Sequence, residues 1–446
     1  MSVDLQRLMK SGSAWAIADQ AVASAGNFAI TLLLARGLAP TEFGTFVLMN
    51  SACLIVFGFH ANLIVSPLVV LGASATASKS RTYLTVALML TLALLPVSFL
   101  VVFSASASLH REVTGLLAVN YILAWQLQET TRRALISKLR YRDAIWGDAI
   151  SYLGQALLVG LLVMQPRFTL NETFGVMAAT SVVAAAIQCW QLRLAPTTWS
   201  QLLVTGTEFW TLGKWLAVVS LTSMAAGPLF PWLLNWIHNK EAVASFQAVM
   251  NVLGLANPLI LSISAIVMPV VAARLFERDG HTSKALLDLT MHYVPWFELL
   301  LAPWFLVLTI WPHSVLMSFY GKASLYGNQT VALRVGVLVY VLTVPMTVLG
   351  AVLTGSGRTR SSAAMQGAGA VASLVCAPPL ILAGGVVGTM LAEIVARGIR
   401  VWYAVWSIRR PSTVHITDDS HVRERDAQIA GQSSTRKHLK GPPRST

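Results

Sequence analysis

The sequence predicts an all-α polytopic membrane protein of about twelve transmembrane helices, arranged as two six-helix bundles related by a parallel internal repeat. Three observations carry that expectation. Hydrophobic residue types make up 55% of the 446 residues, and Asp, Glu, Lys and Arg together only 11%, against roughly 25% charged residues in ordinary soluble domains. Twelve stretches reach the roughly 20 mostly apolar residues that a helix needs to cross a bilayer. Lys and Arg gather in alternate loops, which is how membrane topology is encoded.

In chain order the expected spans are 14–34, 43–65, 83–103, 113–131, 145–164 and 174–192. After a more polar joint come 215–237, 243–265, 293–311, 331–353, 363–382 and 386–406. The first stretch follows Arg7 and Lys10 and superficially resembles a signal peptide. It also holds Asp19, Gln20 and Asn27, too polar for the apolar region of such a peptide, and reads as a retained span. Pro378, Pro379, Gly384 and Gly385 divide the last two spans.

With that count, 16 Lys and Arg fall on one side before the tail and 6 on the other. The richer side receives, among others, Lys79, Arg81, Arg132, Arg133, Lys138, Arg140, Arg142, Arg358 and Arg360; the poorer side receives Arg36, Arg111, Arg167, Lys240, Lys322 and Arg334. The asymmetry places both termini in the cytoplasm. Residues 1–192 are then an N-terminal bundle, 193–214 a cytoplasmic inter-bundle linker and 215–408 a C-terminal bundle. Residues 409–446, rich in Ser, Thr, Arg and Asp, read as a disordered cytoplasmic tail.

The halves resemble each other at an offset near 200. Trp15, Glu42 and Pro67 recur as Trp215, Glu241 and Pro269, with separations of 27 and 25 in the first half and 26 and 28 in the second. A unit of six spans returns the chain to its starting side, so the halves share an orientation. That is a plan used by transporters, with the path between the bundles.

Several classes of chemistry are excluded. Cys53, Cys189 and Cys376 lie far apart inside apolar runs, with no disulfide framework or metal-ligand spacing. There is no phosphate-binding loop and no paired carboxylate register, so no cofactor is expected. The net charge of +13 is spread as topology signals and implies no nucleic-acid partner.

What remains are polar groups where they cost energy. A charge at the bilayer centre costs about 2.5–3.5 kcal/mol on insertion scales. Asp19 stands beside a stripe of Gln20, Ser24, Asn27 and Thr31, which faces either a wet path or another helix. Glu129 and Arg133 pair by their spacing of four. With Arg132, Lys138, Arg140 and Arg142 they read either as a topology signal or as a vestibule that gathers phosphate groups. Glu393, Arg397 and Arg400 share a face of the last span. Glu298 lies within the ninth span. His60, in the second, reads as a structural hydrogen-bonder.

The segment LLLARGLAPTEFGTFVL resembles the first-to-second span signature of polysaccharide-biosynthesis flippases. Those belong to the multidrug/oligosaccharidyl-lipid/polysaccharide (MOP) exporter superfamily. RRALISKLRYRDA, GKWL and NPLILSISAIVMPVVAARLF continue the likeness. The resemblance implies a V-shaped pair of six-helix bundles that moves a polyprenyl-pyrophosphate-linked oligosaccharide across a bacterial inner membrane by alternating access. It also implies membrane lipid as surroundings and polysaccharide polymerase and co-polymerase proteins as partners. Arg36 and Arg274 fall within the matching segments and are the implied candidates for the substrate path; Arg397 and Arg400 join them by position alone, and Glu129 and Arg133 from the charge cluster with Arg132. Asp19 and Glu298 are the candidates for ion or proton coupling. Two alternatives stay open, a cation-coupled drug exporter of the same superfamily and a membrane polysaccharide polymerase or ligase. The latter fits poorly with short outer loops.

Overall fold

The structure, a computed structural model, describes residues 3–224, 227–277, 283–322 and 324–410. Side chains are described for these apart from residues 3–14, 17, 74, 215, 218–224 and 273–277. The tail beyond residue 410 lies outside the described residues.

Every regular element among the described residues is helical. The N-terminal half comprises α1 (Val3–Gly37), α2 (Pro40–His60), α3 (Ser66–Ser74), α4 (Ala77–Ala93), α5 (Leu95–Ser108), α6 (Glu112–Ser137), α7 (Tyr141–Asp148), α8 (Gly154–Val163) and α9 (Leu170–Leu192). A π-helical turn at Ala61–Val65 joins α2 to α3, and another at Ala149–Leu153 joins α7 to α8, so each pair forms one continuous rod. The C-terminal half comprises α10 (Trp199–Met224), α11 (Leu229–Ile237), α12 (Lys240–Leu253), α13 (Asn257–Glu277), α14 (Ser283–Ile310), α15 (Pro312–Tyr320), α16 (Thr330–Gly355) and α17 (Thr359–Arg409).

Local chemistry sets these ends. Pro40 opens α2 at the first turn, where its missing N–H is no loss. Asn239 caps α12, its side chain accepting from the Ala242 N–H at 2.8 Å. α17 reverses direction at Gly385, whose φ of 51° is left-handed. The arms 359–384 and 386–409 then run back against each other: Gly369 on the first packs on the Arg400 side chain of the second.

Eight helical rods among the described residues are long and apolar enough to cross a membrane, against twelve spans expected from the sequence. The difference has specific causes. α1 carries the polar stripe, and α6 carries Glu129, Arg132 and Arg133. Residues 225–226, between α10 and α11, lie outside the described residues, and the two arms of α17 count as one length. Within the expected linker 193–214, α10 already begins at Trp199, and it runs through to Met224. Phe209, buried beside Ile64, Leu68 and Tyr83, gives this stretch an apolar face that its Thr and Glu residues conceal in sequence.

The halves meet chiefly along α2 with α12 and along α10 with α2 and α3. The tightest approach is at the first turns of α2 and α12, where a Cβ on Gly44 would collide with the Lys240 carbonyl. A small residue there lets two backbones touch. Phe43 packs on Tyr326 at 6.3 Å, and Phe28 on Phe319 at 5.6 Å. Glu42 is ion-paired to Arg111. The molecule is therefore sealed at the end that carries Arg36, Gly44 and Lys240.

Candidate functional site: a cavity between the halves and a buried charge network

Below the Gly44–Lys240 contact lies a cavity of about 360 Å³. From the N-terminal half it is lined by Thr31 of α1 and by Asn50 and Ser51 of α2; from the C-terminal half by Asn257, Glu393 and Arg397. Its size falls in the range of ligand pockets, roughly 300–1,000 Å³. Tyr340, buried beside it, donates its hydroxyl to Asn257 Oδ1 at 3.1 Å. Arg397 is ion-paired to Glu393 one turn earlier on the same arm of α17, so the cavity offers a cation and an anion side by side. Arg400 lies one turn further on and is buried against Gly369, with Met346 Sδ 3.8 Å away; it does not line the cavity.

The second feature lies within the N-terminal half. Arg132 of α6 is buried and donates in three directions at once. Nη2 reaches Asp19 of α1 at 2.6 Å, Nη1 reaches Glu129 at 3.3 Å, and Nε reaches Asp148 of α7. Arg133 donates to the other Glu129 oxygen at 2.5 Å and is half exposed. Three carboxylates thus face two guanidinium groups, a surplus of one negative charge. Asp19 Oδ1 and Asp148 Oδ1 are buried with no hydrogen-bond partner among the described residues. A site of this kind can take up one proton or one small cation without leaving a carboxylate bare.

The structure brings some of the expected residues together and separates others. Glu129, Arg133 and Asp19 share the buried network. Arg397 lines the central cavity. Arg36 stands at the sealed end and donates to the carbonyls of Phe319 and of Ser318, the latter at 2.9 Å, which close the last turn of α15. Glu298 is half-buried on α14, outside both the cavity and the network. Arg274 belongs to the last turns of α13, and its side chain lies outside the described residues. His60 sits buried with Nε2 2.9 Å from Thr130 and 3.2 Å from Thr91 hydroxyls, the structural role expected of it.

Three positions in these two features carry no distinct signal in the sequence. Arg132 reads there as one more basic residue of a boundary cluster. Asp148, three residues into an expected span, was available as an intramembrane charge. Asn257 was visible only as the residue before a helix-interrupting proline.

No family model matches the chain, and no curated protein matches it in sequence. Solved structures do match. An inward-facing multidrug resistance MATE family transporter of the MOP superfamily matches with a TM-score of 0.69 at 15% identity, over 87% of this chain and 94% of that one. The lipid II flippase MurJ, in an inward closed conformation, matches with a TM-score of 0.68 at 13% identity, over 90% and 87%. A MOP superfamily transporter from Pyrococcus furiosus matches with 0.62 at 14%, over 90% and 97%. At these identities the likeness is one of fold. The chain is a multi-pass helical membrane protein with the fold of MOP superfamily transporters, a fold that serves both drug exporters and a lipid II flippase.

Proposed function

We propose that the chain is a flippase that moves a polyprenyl-pyrophosphate-linked oligosaccharide across the bacterial inner membrane by alternating access, for polysaccharide assembly. The observation that carries this reading is the central cavity, which joins Asn50 and Ser51 of one half to the Glu393–Arg397 pair of the other. A hydrated anionic head group needs a polar path between bundles with a cation within reach, which Arg397 supplies beside Glu393, while its polyprenyl tail stays in lipid. Twelve spans, six to a bundle, account for both arms of α17 and for the polar rods α1 and α6. The lysine and arginine count puts both termini in the cytoplasm. The sealed end is then periplasmic, and the molecule is in its inward-facing state.

Within this reading the Asp19–Arg132–Asp148 network is the coupling element. Taking up a proton or small cation there cancels the surplus charge and loosens the hold of α6 on α1 and α7. Glu298 is a second coupling candidate, and Arg274 completes the proposed basic path. Polymerase and co-polymerase proteins are the proposed partners at the periplasmic face.

Cation-coupled drug export is a second reading, favoured by the Glu393 carboxylate in the same cavity. Protection of a cysteine at position 50 separates the two. A labelled lipid-linked oligosaccharide slows alkylation of the Asn50→Cys protein under the first reading; a lipophilic cation does so under the second.

A further inference from the structure

Away from the central cavity, the end of the N-terminal half opposite Arg36 holds a cleft of about 510 Å³ between α4, the end of α6 and the end of α9. Arg81, Lys138, Arg140 and Arg193 line it. Lys138 is committed to the Gly72 and Ala75 carbonyls at 2.6 and 3.0 Å, and Arg140 to Asp143 at 2.6 Å. The guanidinium groups of Arg81 and Arg193 have no hydrogen-bond or ion-pair partner among the described residues. Four cations therefore share one cleft with a single neighbouring carboxylate, an arrangement that favours an anion.

The same three helices carry a second hollow, a groove of about 390 Å³. Leu88, Met89 and Leu92 of α4, Leu127 of α6 and Val182 of α9 line it, and Thr85 and Cys189 are its only lining side chains with a polar atom. Positions 81, 85, 88 and 92 fall on one face of α4 at helical spacing, so cleft and groove follow one another along that face, with the Thr85 hydroxyl donating to the Ala195 carbonyl at 3.0 Å between them. Arg193 faces the cleft and Leu194 the groove, which marks the border between them.

Two helix ends form the mouth of the cleft. Arg193 caps α9 with a left-handed φ of 54°, and Leu139, with φ 58°, ends α6, where the Arg140 N–H returns to the Leu135 carbonyl at 3.0 Å. Leu139 sits between Lys138 and Arg140; with Trp190 it is strongly exposed, an apolar rim such as lies at headgroup level.

We propose that cleft and groove together are a resident site for one anionic membrane phospholipid, its phosphodiester held by Arg81 and Arg193 and an acyl chain lying in the groove beside Met89. A free phosphate would use the cleft and leave the groove without purpose. A transported lipid would use the central cavity, which lies between the halves and is lined by neither α4 nor α9. Basic pockets between helices at the cytoplasmic side are where anionic headgroups bind. The proposal stands whether or not the protein flips an oligosaccharide.

The test is native mass spectrometry of the full chain, delipidated and titrated with phosphatidylglycerol against a phosphatidylcholine background. Wild type is expected to hold one phosphatidylglycerol, and an Arg81→Gln/Arg193→Gln double variant to lose occupancy at least tenfold. Ala186→Phe, which fills the groove, is expected to do the same, while Arg81→Lys/Arg193→Lys retains the lipid and reports that the site still folds. Undiminished binding in the Gln and Phe variants overturns the proposal. So does equal binding of phosphatidylcholine, full competition by inorganic phosphate, or displacement by equimolar polyprenyl phosphate.

Discussion

Arg132 of α6 donates to Asp19 of α1 across 2.6 Å, with both side chains buried. Because the same guanidinium also holds Asp148 and Glu129, one residue ties α1, α6 and α7 together.

Removing it leaves three carboxylates in a buried site. Breaking a buried ion pair from one side costs about 3–5 kcal/mol. Arg132→Met is expected to lower the unfolding midpoint in detergent by many degrees, and Asp19→Asn by less, since Arg132 keeps two partners. The double variant is expected to cost less than the sum of the single ones. Strict additivity would show that the contact carries no coupling.

The seal at the Gly44–Lys240 contact predicts accessibility. In a cysteine-free background, a cysteine at position 50 is expected to react with an impermeant thiol reagent from the Arg140 side alone. Gly44→Leu wedges the first turns of α2 and α12 apart, so the same cysteine then reacts from both sides. Unchanged one-sided labelling in Gly44→Leu would place the seal elsewhere.

The hairpin at Gly385 gives a paired comparison. An L-residue there must hold a left-handed φ, so Gly385→Ala is expected to cost about 1–3 kcal/mol. Gly384, with nothing near its absent Cβ and no positive φ, is expected to accept Ala almost neutrally. Thermal melts of the two variants decide it; equal losses would refute the backbone explanation.

The paired charges in the cavity predict ligand preference. Glu393→Gln releases Arg397 and makes the pair net positive. Binding of a pyrophosphate-bearing lipid is then expected to strengthen and that of a lipophilic cation to weaken, each severalfold by fluorescence titration. The opposite pattern would favour the drug-export reading.

Local spacing shows how far the sequence reaches. The Glu129–Arg133 and Glu393–Arg397 pairs were legible because four residues make one helical turn, and both are formed. Asp19 was legible as a costly charge, but its partner lies 113 residues away, and no spacing rule spans that distance. Arg132 was hidden because a topology signal and a buried ion-pair hub have the same composition. The contacts of Arg36 with the Phe319 and Ser318 carbonyls were not legible, because backbone acceptors leave no trace in a sequence. The start of α10 at Trp199 is hidden in the sequence because Thr and Glu dilute an apolar face that the burial of Phe209 reveals.

The most direct measurement is translocation in proteoliposomes. A labelled polyprenyl-pyrophosphate oligosaccharide is placed in one leaflet, and the fraction reaching the other is scored with a membrane-impermeant enzyme. Wild type is expected to move the lipid, with Arg397→Ala slowing it at least tenfold and Arg36→Ala acting only through the seal. Small cationic dyes crossing under a proton or sodium gradient, while the lipid-linked sugar stays where it was placed, would contradict the flippase reading.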